Sequence, residues 1–146
     1  HNHDAIREMN LDPNTVSGLS DAGAHVAFIF DAVMPTYQLT HWVKGRSRGE
    51  RLPLEYVVSR LSHKNAELYG LKDRGSLETG KRADINVINM DELSFGDIEV
   101  RNDLPAGGKR ILQPANGYVA TMLNGVLTRR FDKDTGQRPG RLVRSA

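Results

Sequence analysis

The sequence predicts a mixed α/β chain, with helices in its first half and β strands in its second. Apolar residues recur at helical spacing only before Gly70. Beyond that point, apolar and polar residues alternate at 83–89 and less cleanly at 118–123, as they do in half-buried strands. Asn124-Gly125 follows the second of these runs and precedes another, which is the strongest short-range signal for a β hairpin.

The chain begins with a short helical stretch and a predicted strand. Residues 4–9 are typical of the end of a helix whose start lies before residue 1, and Pro13 breaks it. Residues 15–19 are apolar and β-branched in part, which predicts a buried strand that runs into a tight loop at Ser20. Residues 24–34 are apolar and fit a helix and a strand equally well.

Three helices are predicted next. Pro35 can open the first and Pro53 the second, because proline suits the start of a helix. Ser62 is the expected N-cap of the third, and Gly70 is the residue expected to end it. The apolar positions at helical spacing are Leu39, Trp42 and Val43 in the first helix and Leu54, Val57, Val58 and Leu61 in the second.

The second half is predicted to be rich in β structure. Residues 126–130 complete a hairpin with the strand at 118–123, and residues 132–140 contain many turn-forming residues ahead of a basic tail. The change of texture divides the chain into two domain portions, residues 1–70 and residues 71–146.

The composition limits the classes of function. The 146 residues carry a formal net charge of +2, too small an excess to indicate nucleic-acid binding. The sequence has no cysteine, which rules out disulfides, thiol nucleophiles and cysteine-based metal sites. No apolar run approaches the length of a membrane span, and the first residues do not resemble a signal peptide. We therefore expect a cytoplasmic protein with neither nucleic acid nor membrane as a partner.

The loop at Ser20 contains the first candidate site residue, Asp21. It follows the predicted strand directly, so its carboxylate would lie at the C-terminal edge of a sheet, where α/β barrels carry their chemistry. A carboxylate at such an edge can bind a metal, accept a proton from metal-bound water, or do both. Taken alone, the local sequence fits better an Asx turn, in which Asp21 accepts hydrogen bonds from the loop backbone.

A second motif, at residues 75–88 (GSLETGKRADINVI), is interpreted as structural. Gly80 permits a tight turn, and Ala83 and Asp84 lead into the half-buried strand. No catalytic chemistry is required of these residues.

The order of the two motifs resembles the C-terminal part of amidohydrolase-superfamily enzymes. In these enzymes an aspartate closes the last strand of a metal-bearing (β/α)8 barrel, and a G-x-x-A-D-I segment returns the chain to a small β-sandwich. The resemblance covers nearly all of residues 5–144. It implies that residues 1–70 are the last strand and helices of the barrel and that residues 71–146 are strands of the sandwich. Three stretches resemble the N-acyl-D-amino-acid deacylase branch: residues 18–25 (GLSDAGAH), 103–108 (DLPAGG) and 135–144 (TGQRPGRLVR).

The resemblance implies a hydrolase that cleaves the amide bond of N-acyl amino acids, with the D configuration as one option, by means of a divalent metal expected to be zinc. Asp21 would engage the metal or its bound water, act as the general base and pass the proton to the leaving amine. His25 lies in the same loop. A loop histidine without a ligand role is the favoured interpretation, and a substrate-binding residue is the alternative.

The other metal ligands of such enzymes come from earlier strands. His1-Asn2-His3 matches the H-x-H pattern of the first barrel strand, but only 17 residues separate His3 from Asp21. We therefore interpret these residues as an exposed N-terminal stretch. One carboxylate cannot hold a catalytic metal that requires three or more protein ligands, so we expect the chain alone to be inactive.

Two other groups of residues have structural interpretations first. Tyr37, His41 and Trp42 have helical spacing, which predicts core packing or a domain contact, with the wall of a substrate pocket as the alternative. Arg138, Arg141 and Arg144 lie in the basic tail without interleaved aromatic residues, which favours a solvated tail over a nucleic-acid or phosphate site.

Two other functions remain open. A cyclic-amide hydrolase of the dihydroorotase or hydantoinase type would use the same metal centre. A non-catalytic domain would instead associate with itself, because an isolated piece of a barrel leaves strand edges and helix faces open. On these grounds we expect the isolated chain to form a dimer or larger oligomer.

Overall fold

The structure is a computed structural model that describes residues 3–18, 20–23 and 25–143. Within these residues four short α-helices precede eight short β strands, so the predicted mixed α/β class is confirmed there. All strand pairs formed by the described residues are antiparallel. None of the helices in this described part has the length and apolar character needed to cross a bilayer.

Helix α1 spans Asp4–Leu11. The expectation that it starts before residue 1 is wrong, because His3 has a left-handed backbone with φ of 60° and ends the helical geometry. The helix packs against later residues through side chains. Tyr56 donates a hydrogen bond to the Asn10 carbonyl at 2.8 Å, and Arg7 pairs with Glu50 at 2.6 Å.

The strand expected at 15–19 is not formed over residues 15–18, which are irregular, and residue 19 lies outside the described residues. The Thr15 hydroxyl instead contacts the Met9 carbonyl at 2.7 Å and accepts a hydrogen bond from Arg60 at 2.7 Å. A buried parallel strand needs neighbouring strands for its backbone hydrogen bonds. The strands of the described residues pair elsewhere and leave this segment without one.

Over its described residues, 25–34, the segment that fits helix and strand equally well forms neither a long helix nor a long strand. It contains a turn at 25–28 and a short 3₁₀ helix at Asp31–Val33. Helix α2, Met34–Tyr37, has Pro35 in its first turn as predicted and continues into a π-helical segment, Gln38–Gly45, that the sequence did not predict. Leu39 and Trp42 are buried on this segment, as their spacing indicates.

Helices α3 and α4 confirm the next two predictions. Helix α3 spans Leu54–Leu61, directly after Pro53, and α4 spans His63–Leu68, directly after Ser62. Ser62 stands at the N-cap position as predicted, but its hydroxyl donates to the Val58 carbonyl at 2.6 Å and does not cap α4. Gly70 has a φ of 67°, and its N–H donates to Glu67 while the N–H of Leu71 donates to Ala66. These two hydrogen bonds form a Schellman motif, which explains why the helix ends at the glycine.

The strands form one larger sheet and two small two-stranded sheets. The four-stranded sheet has the order β1-β6-β7-β8, while β2 pairs with β5 and β3 pairs with β4. The strands are β1 Ile85–Ile88, β2 Ser94–Phe95, β3 Glu99–Leu104, β4 Gly108–Leu112, β5 Ala115–Asn116, β6 Tyr118–Leu123, β7 Val126–Arg130 and β8 Lys133–Asp134.

The predicted hairpin at Asn124-Gly125 is confirmed. Both residues have positive φ, 51° and 76°, as a type I′ turn requires, and Leu123 faces Val126 across it. The prediction that residues 83–89 contain a strand is confirmed by β1, which pairs with β6.

One hydrophobic core joins the helices to the β part. Its buried members are Leu39, Trp42, Leu52, Val57 and Leu93, of which the last follows β1 along the chain. Polar contacts cross the same interface: Thr36 and Tyr118 share a hydrogen bond of 2.7 Å between their hydroxyls. The division of the chain at residue 70 stays a prediction.

Candidate functional site

Asp21 lies in the irregular segment after residue 18 and is exposed. Its backbone carbonyl accepts a hydrogen bond from the N–H of Asp31 at 3.2 Å, which closes the loop. This bond uses the main chain, so the exposed carboxylate is not engaged by it. The Asx turn that the local sequence favours has no hydrogen bond to this carboxylate within the described residues.

His25 sits at the start of a tight turn in the same loop. Its φ of 56° is left-handed, and its carbonyl accepts hydrogen bonds from Phe28 at 2.8 Å and Ile29 at 3.0 Å. The residue is exposed. Its backbone therefore shapes the loop, and its imidazole stays accessible to solvent.

A single hydrogen bond ties the Asp21 loop to the β part. The N–H of Ile111, in β4, donates to the carbonyl of Val26 at 2.8 Å. Strand β4 is one arm of the hairpin whose turn lies within residues 103–108, so this hairpin contacts the residue that follows the stretch 18–25. Apolar and polar residues do not alternate regularly over 99–112, so the sequence does not predict strand β4 or its hairpin.

The described residues contain no group of three or more histidine, aspartate and glutamate side chains that could hold a metal ion. Asp21 can supply at most one carboxylate ligand. Of the H-x-H residues, His1 and Asn2 lie outside the described part, and the ring of His3 lies 6.2 Å from that of His41. The described residues do not by themselves fit a catalytic metal.

The aromatic residues of the π-helical segment form a stack. The rings of Tyr37 and His41 are nearly parallel, 5.0 Å apart, and His41 meets the buried Trp42 edge-on at 5.1 Å. Core packing, the first interpretation of these residues, is confirmed for Trp42, and Arg46 lies over its indole ring at 4.9 Å.

His41 has an unusual environment for a histidine. Burial lowers its pKa below the ordinary value, and the positive charges of His3 and Arg46 lower it further. Its Nε2 is buried and has no hydrogen-bond partner among the described residues. The imidazole is therefore held in its neutral form over a wider pH range than an exposed histidine would be.

Asp84, in the second motif, has a structural role, as predicted for that motif. One carboxylate oxygen accepts a hydrogen bond from the N–H of Asn124 at 2.8 Å, and the other lies 3.4 Å from the Arg74 guanidinium. The adjacent carbonyl of Ala83 accepts the N–H of Gly125 at 3.0 Å. The motif therefore secures the turn of the β6–β7 hairpin, a contact that no local pattern in the sequence reveals.

An open apolar groove of about 690 Å³ lies between α3, α4 and β1. Leu54 and Val58 were predicted to share one helix face with Val57, which is buried, yet they are 37% and 46% exposed and line this groove. Its walls also include Leu39, Leu61, Ile85 and Ile88.

A smaller cleft of about 330 Å³ contains Lys72, Arg74, Arg82 and Arg141 and is more polar. Of the basic tail residues named from the sequence, Arg144 lies outside the described part.

Comparison with known proteins identifies relatives by sequence. The model of a family described as the amidohydrolase family matches residues 1–129. The dihydroorotase of Lactobacillus acidophilus (strain ATCC 700396 / NCK56 / N2 / NCFM) is 33% identical over 90 residues, which cover 59% of this chain and 20% of that protein. The chain thus spans about one fifth of the length of this relative. No solved structure matches the chain with statistical significance.

Proposed function

Because the chain belongs to the amidohydrolase family, we propose that it is part of a hydrolase that cleaves amide carbon–nitrogen bonds. The observation that carries this proposal is the family match over residues 1–129, which includes the Asp21 loop, the β3–β4 hairpin and all of the β6–β7 hairpin except Arg130. The reaction adds water across the amide and releases a carboxylate and an amine.

N-acyl amino acids, with the D configuration as one option, are the proposed substrates. The support is the resemblance of residues 18–25, 103–108 and 135–144 to the N-acyl-D-amino-acid deacylase branch. The hydrogen bond from Ile111 to Val26 adds a structural argument, because it ties the residue that directly follows the first of these stretches to the hairpin that contains the second.

Asp21 is the residue proposed to carry the chemistry, as general base and as a metal ligand. Its carboxylate is exposed on a loop, where it is free to meet a substrate and further ligands. The described residues offer no cluster that could complete a metal site around it. We therefore propose that a divalent metal, zinc by preference, is bound only when residues outside this chain join Asp21. His25 is proposed as a substrate contact in the same loop.

A second candidate substrate class is favoured by one observation. The relative that is 33% identical over 90 residues is a dihydroorotase, and a cyclic-amide hydrolase would use the same kind of centre. Linear and cyclic substrates separate the two candidates. The complete enzyme that contains this chain would be assayed with N-acetyl-D-amino acids, N-acetyl-L-amino acids, dihydroorotate and hydantoins.

The primary proposal expects turnover of the linear N-acyl amino acids and little of the cyclic compounds. Turnover of the cyclic amides alone would replace it with the second candidate. Activity on neither class, in a preparation shown to contain metal, would contradict both.

A further inference from the structure

The chain contains two Asn-Gly steps, Asn116-Gly117 and Asn124-Gly125. Both asparagines are exposed. Asparagine followed by glycine is the dipeptide most prone to spontaneous deamidation, because glycine has no side chain to hinder its backbone nitrogen and can adopt the required conformation. Each step is therefore a potential site of covalent modification.

The reaction needs only water. The backbone nitrogen of the glycine loses its proton and attacks the side-chain Cγ of the asparagine, and ammonia leaves as a five-membered succinimide forms. Water then opens either carbonyl of the ring, which gives aspartate or isoaspartate. Any contact that holds the glycine N–H in place opposes the first step, because the nitrogen must lose that proton and move toward Cγ.

At Asn116-Gly117, the glycine N–H is held by a carboxylate. Gly117 donates to one oxygen of Asp132 at 3.1 Å, and Tyr118 donates to the other at 3.0 Å. A negatively charged acceptor disfavours deprotonation of the amide that it binds. Gly117 is also buried against Leu93, which leaves its backbone little room to move.

At Asn124-Gly125, the backbone N–H groups are held by residues of the G-x-x-A-D-I motif. Gly125 donates its N–H to the Ala83 carbonyl at 3.0 Å, and Asn124 donates its own N–H to Asp84 at 2.8 Å. The Arg74 guanidinium lies 3.4 Å from the same carboxylate and helps to fix it. The turn is thereby held on both sides of the reacting bond.

We propose that Asn116 and Asn124 are deamidation sites that the native fold suppresses, and that Asp132 and Asp84 are the residues that protect them. Isoaspartate would add a carbon to the main chain. At residue 124 it would disturb the type I′ turn and the pairing of Leu123 with Val126. Deamidation at either step would therefore mark chains that have been locally or globally unfolded.

The test follows deamidation site by site, by peptide mapping with mass spectrometry after incubation at mildly alkaline pH. The wild-type chain is compared in its native state and in concentrated urea, and with the variants Asp132→Ala and Asp84→Ala. Both sites should react at least about tenfold more slowly in the native chain than in urea. Loss of one hydrogen-bond acceptor should raise the native rate at its own site about five- to tenfold.

The two sites serve as internal controls for each other. Asp132→Ala should raise the deamidation rate at Asn116 and leave the rate at Asn124 unchanged. Asp84→Ala should raise the rate at Asn124 and leave the rate at Asn116 unchanged. Unchanged rates in both folded variants would overturn the proposal. If a variant unfolds, both of its sites should deamidate at the rate measured in urea. The wild-type chain then decides the test. Equal deamidation rates in the native and the denatured wild-type chain would overturn the proposal.

Discussion

At the scale of single residues, His41 shows how packing can govern ionisation. Its ring is stacked on Tyr37 and meets Trp42 edge-on, and the cationic groups of His3 and Arg46 lie nearby. Burial is the largest cause of its lowered pKa, followed by His3 and then Arg46. Asp4, in the first turn of the neighbouring helix α1, pairs with Arg46.

The stability of the chain should therefore depend on pH through His41. Its pKa in the folded chain lies below the ordinary 6.5, so the unfolded chain binds the proton first as the pH falls. Its contribution to stability is complete above about pH 6.5 and is lost as the pH falls below that value. Urea unfolding at about pH 7.5 and about pH 5.5 measures the loss.

The matched variant is His41→Gln, which keeps a polar side chain of similar length that does not titrate. It should lose less stability between these two pH values than the wild-type chain does. The carboxylates with lowered pKa, such as Asp73 and Glu78, titrate below their ordinary values of 3.8 and 4.5 and do not interfere. Equal losses in the two chains would exclude His41 as the cause.

At the scale of elements, local signals and long-range partners have separate effects. The Asn124-Gly125 hairpin and the end of α4 at Gly70 were predicted because both depend on residues in left-handed conformations within a few positions. The strand predicted at 15–19 does not form over 15–18. The prediction failed because an apolar pattern cannot reveal whether neighbouring strands are present to pair with it. The two-residue strands β2 and β5 are too short to show any periodicity.

Gly117 offers a direct test of the packing between the β part and the core. A Cβ at this position would lie 2.8 Å from the backbone of Leu93, and its φ is 96°. Gly80 has a similar φ of 91° but nothing within 4 Å of such a Cβ. Gly117→Ala and Gly80→Ala therefore share the backbone strain and differ in the steric clash.

We expect Gly80→Ala to cost about 1–3 kcal/mol of unfolding free energy from backbone strain. Gly117→Ala should cost about 1–3 kcal/mol more, because Leu93 must move within the core. Urea denaturation of both variants measures the difference. Equal losses would show that Gly117, just before β6, is not packed against the Leu93 backbone.

At the scale of the whole molecule, the candidate site is less predictable than the fold. Asp21 and His25 were named because their motif resembles that of a family, and the family match over residues 1–129 supports that resemblance at the level of the family. Their catalytic and substrate-binding roles stay predictions. A metal site depends on ligands that converge from distant strands, and the described residues bring no such group together.

The open apolar groove predicts the behaviour of the isolated chain. Val58 and Leu54 line a cavity of about 690 Å³ whose apolar surface favours association. Size-exclusion chromatography with light scattering should detect a dimer or larger oligomer. Val58→Lys should weaken the association, because it places a charge on the groove wall. Val100→Lys, at a 62% exposed position outside the groove, is the control and should not. A monodisperse wild-type monomer would contradict the prediction.

The catalytic role of Asp21 is tested most directly by Asp21→Asn in the complete enzyme that contains this chain. The control is Asp31→Asn, at an exposed aspartate in the same segment. The backbone N–H of residue 31 donates to the Asp21 carbonyl, and the substitution leaves this hydrogen bond in place. The measurement is kcat for hydrolysis of an N-acetyl amino acid. We expect Asp21→Asn to lower kcat by about 10²- to 10⁴-fold while Asp31→Asn retains activity. An Asp21→Asn enzyme as active as the wild type would contradict the role assigned to this carboxylate.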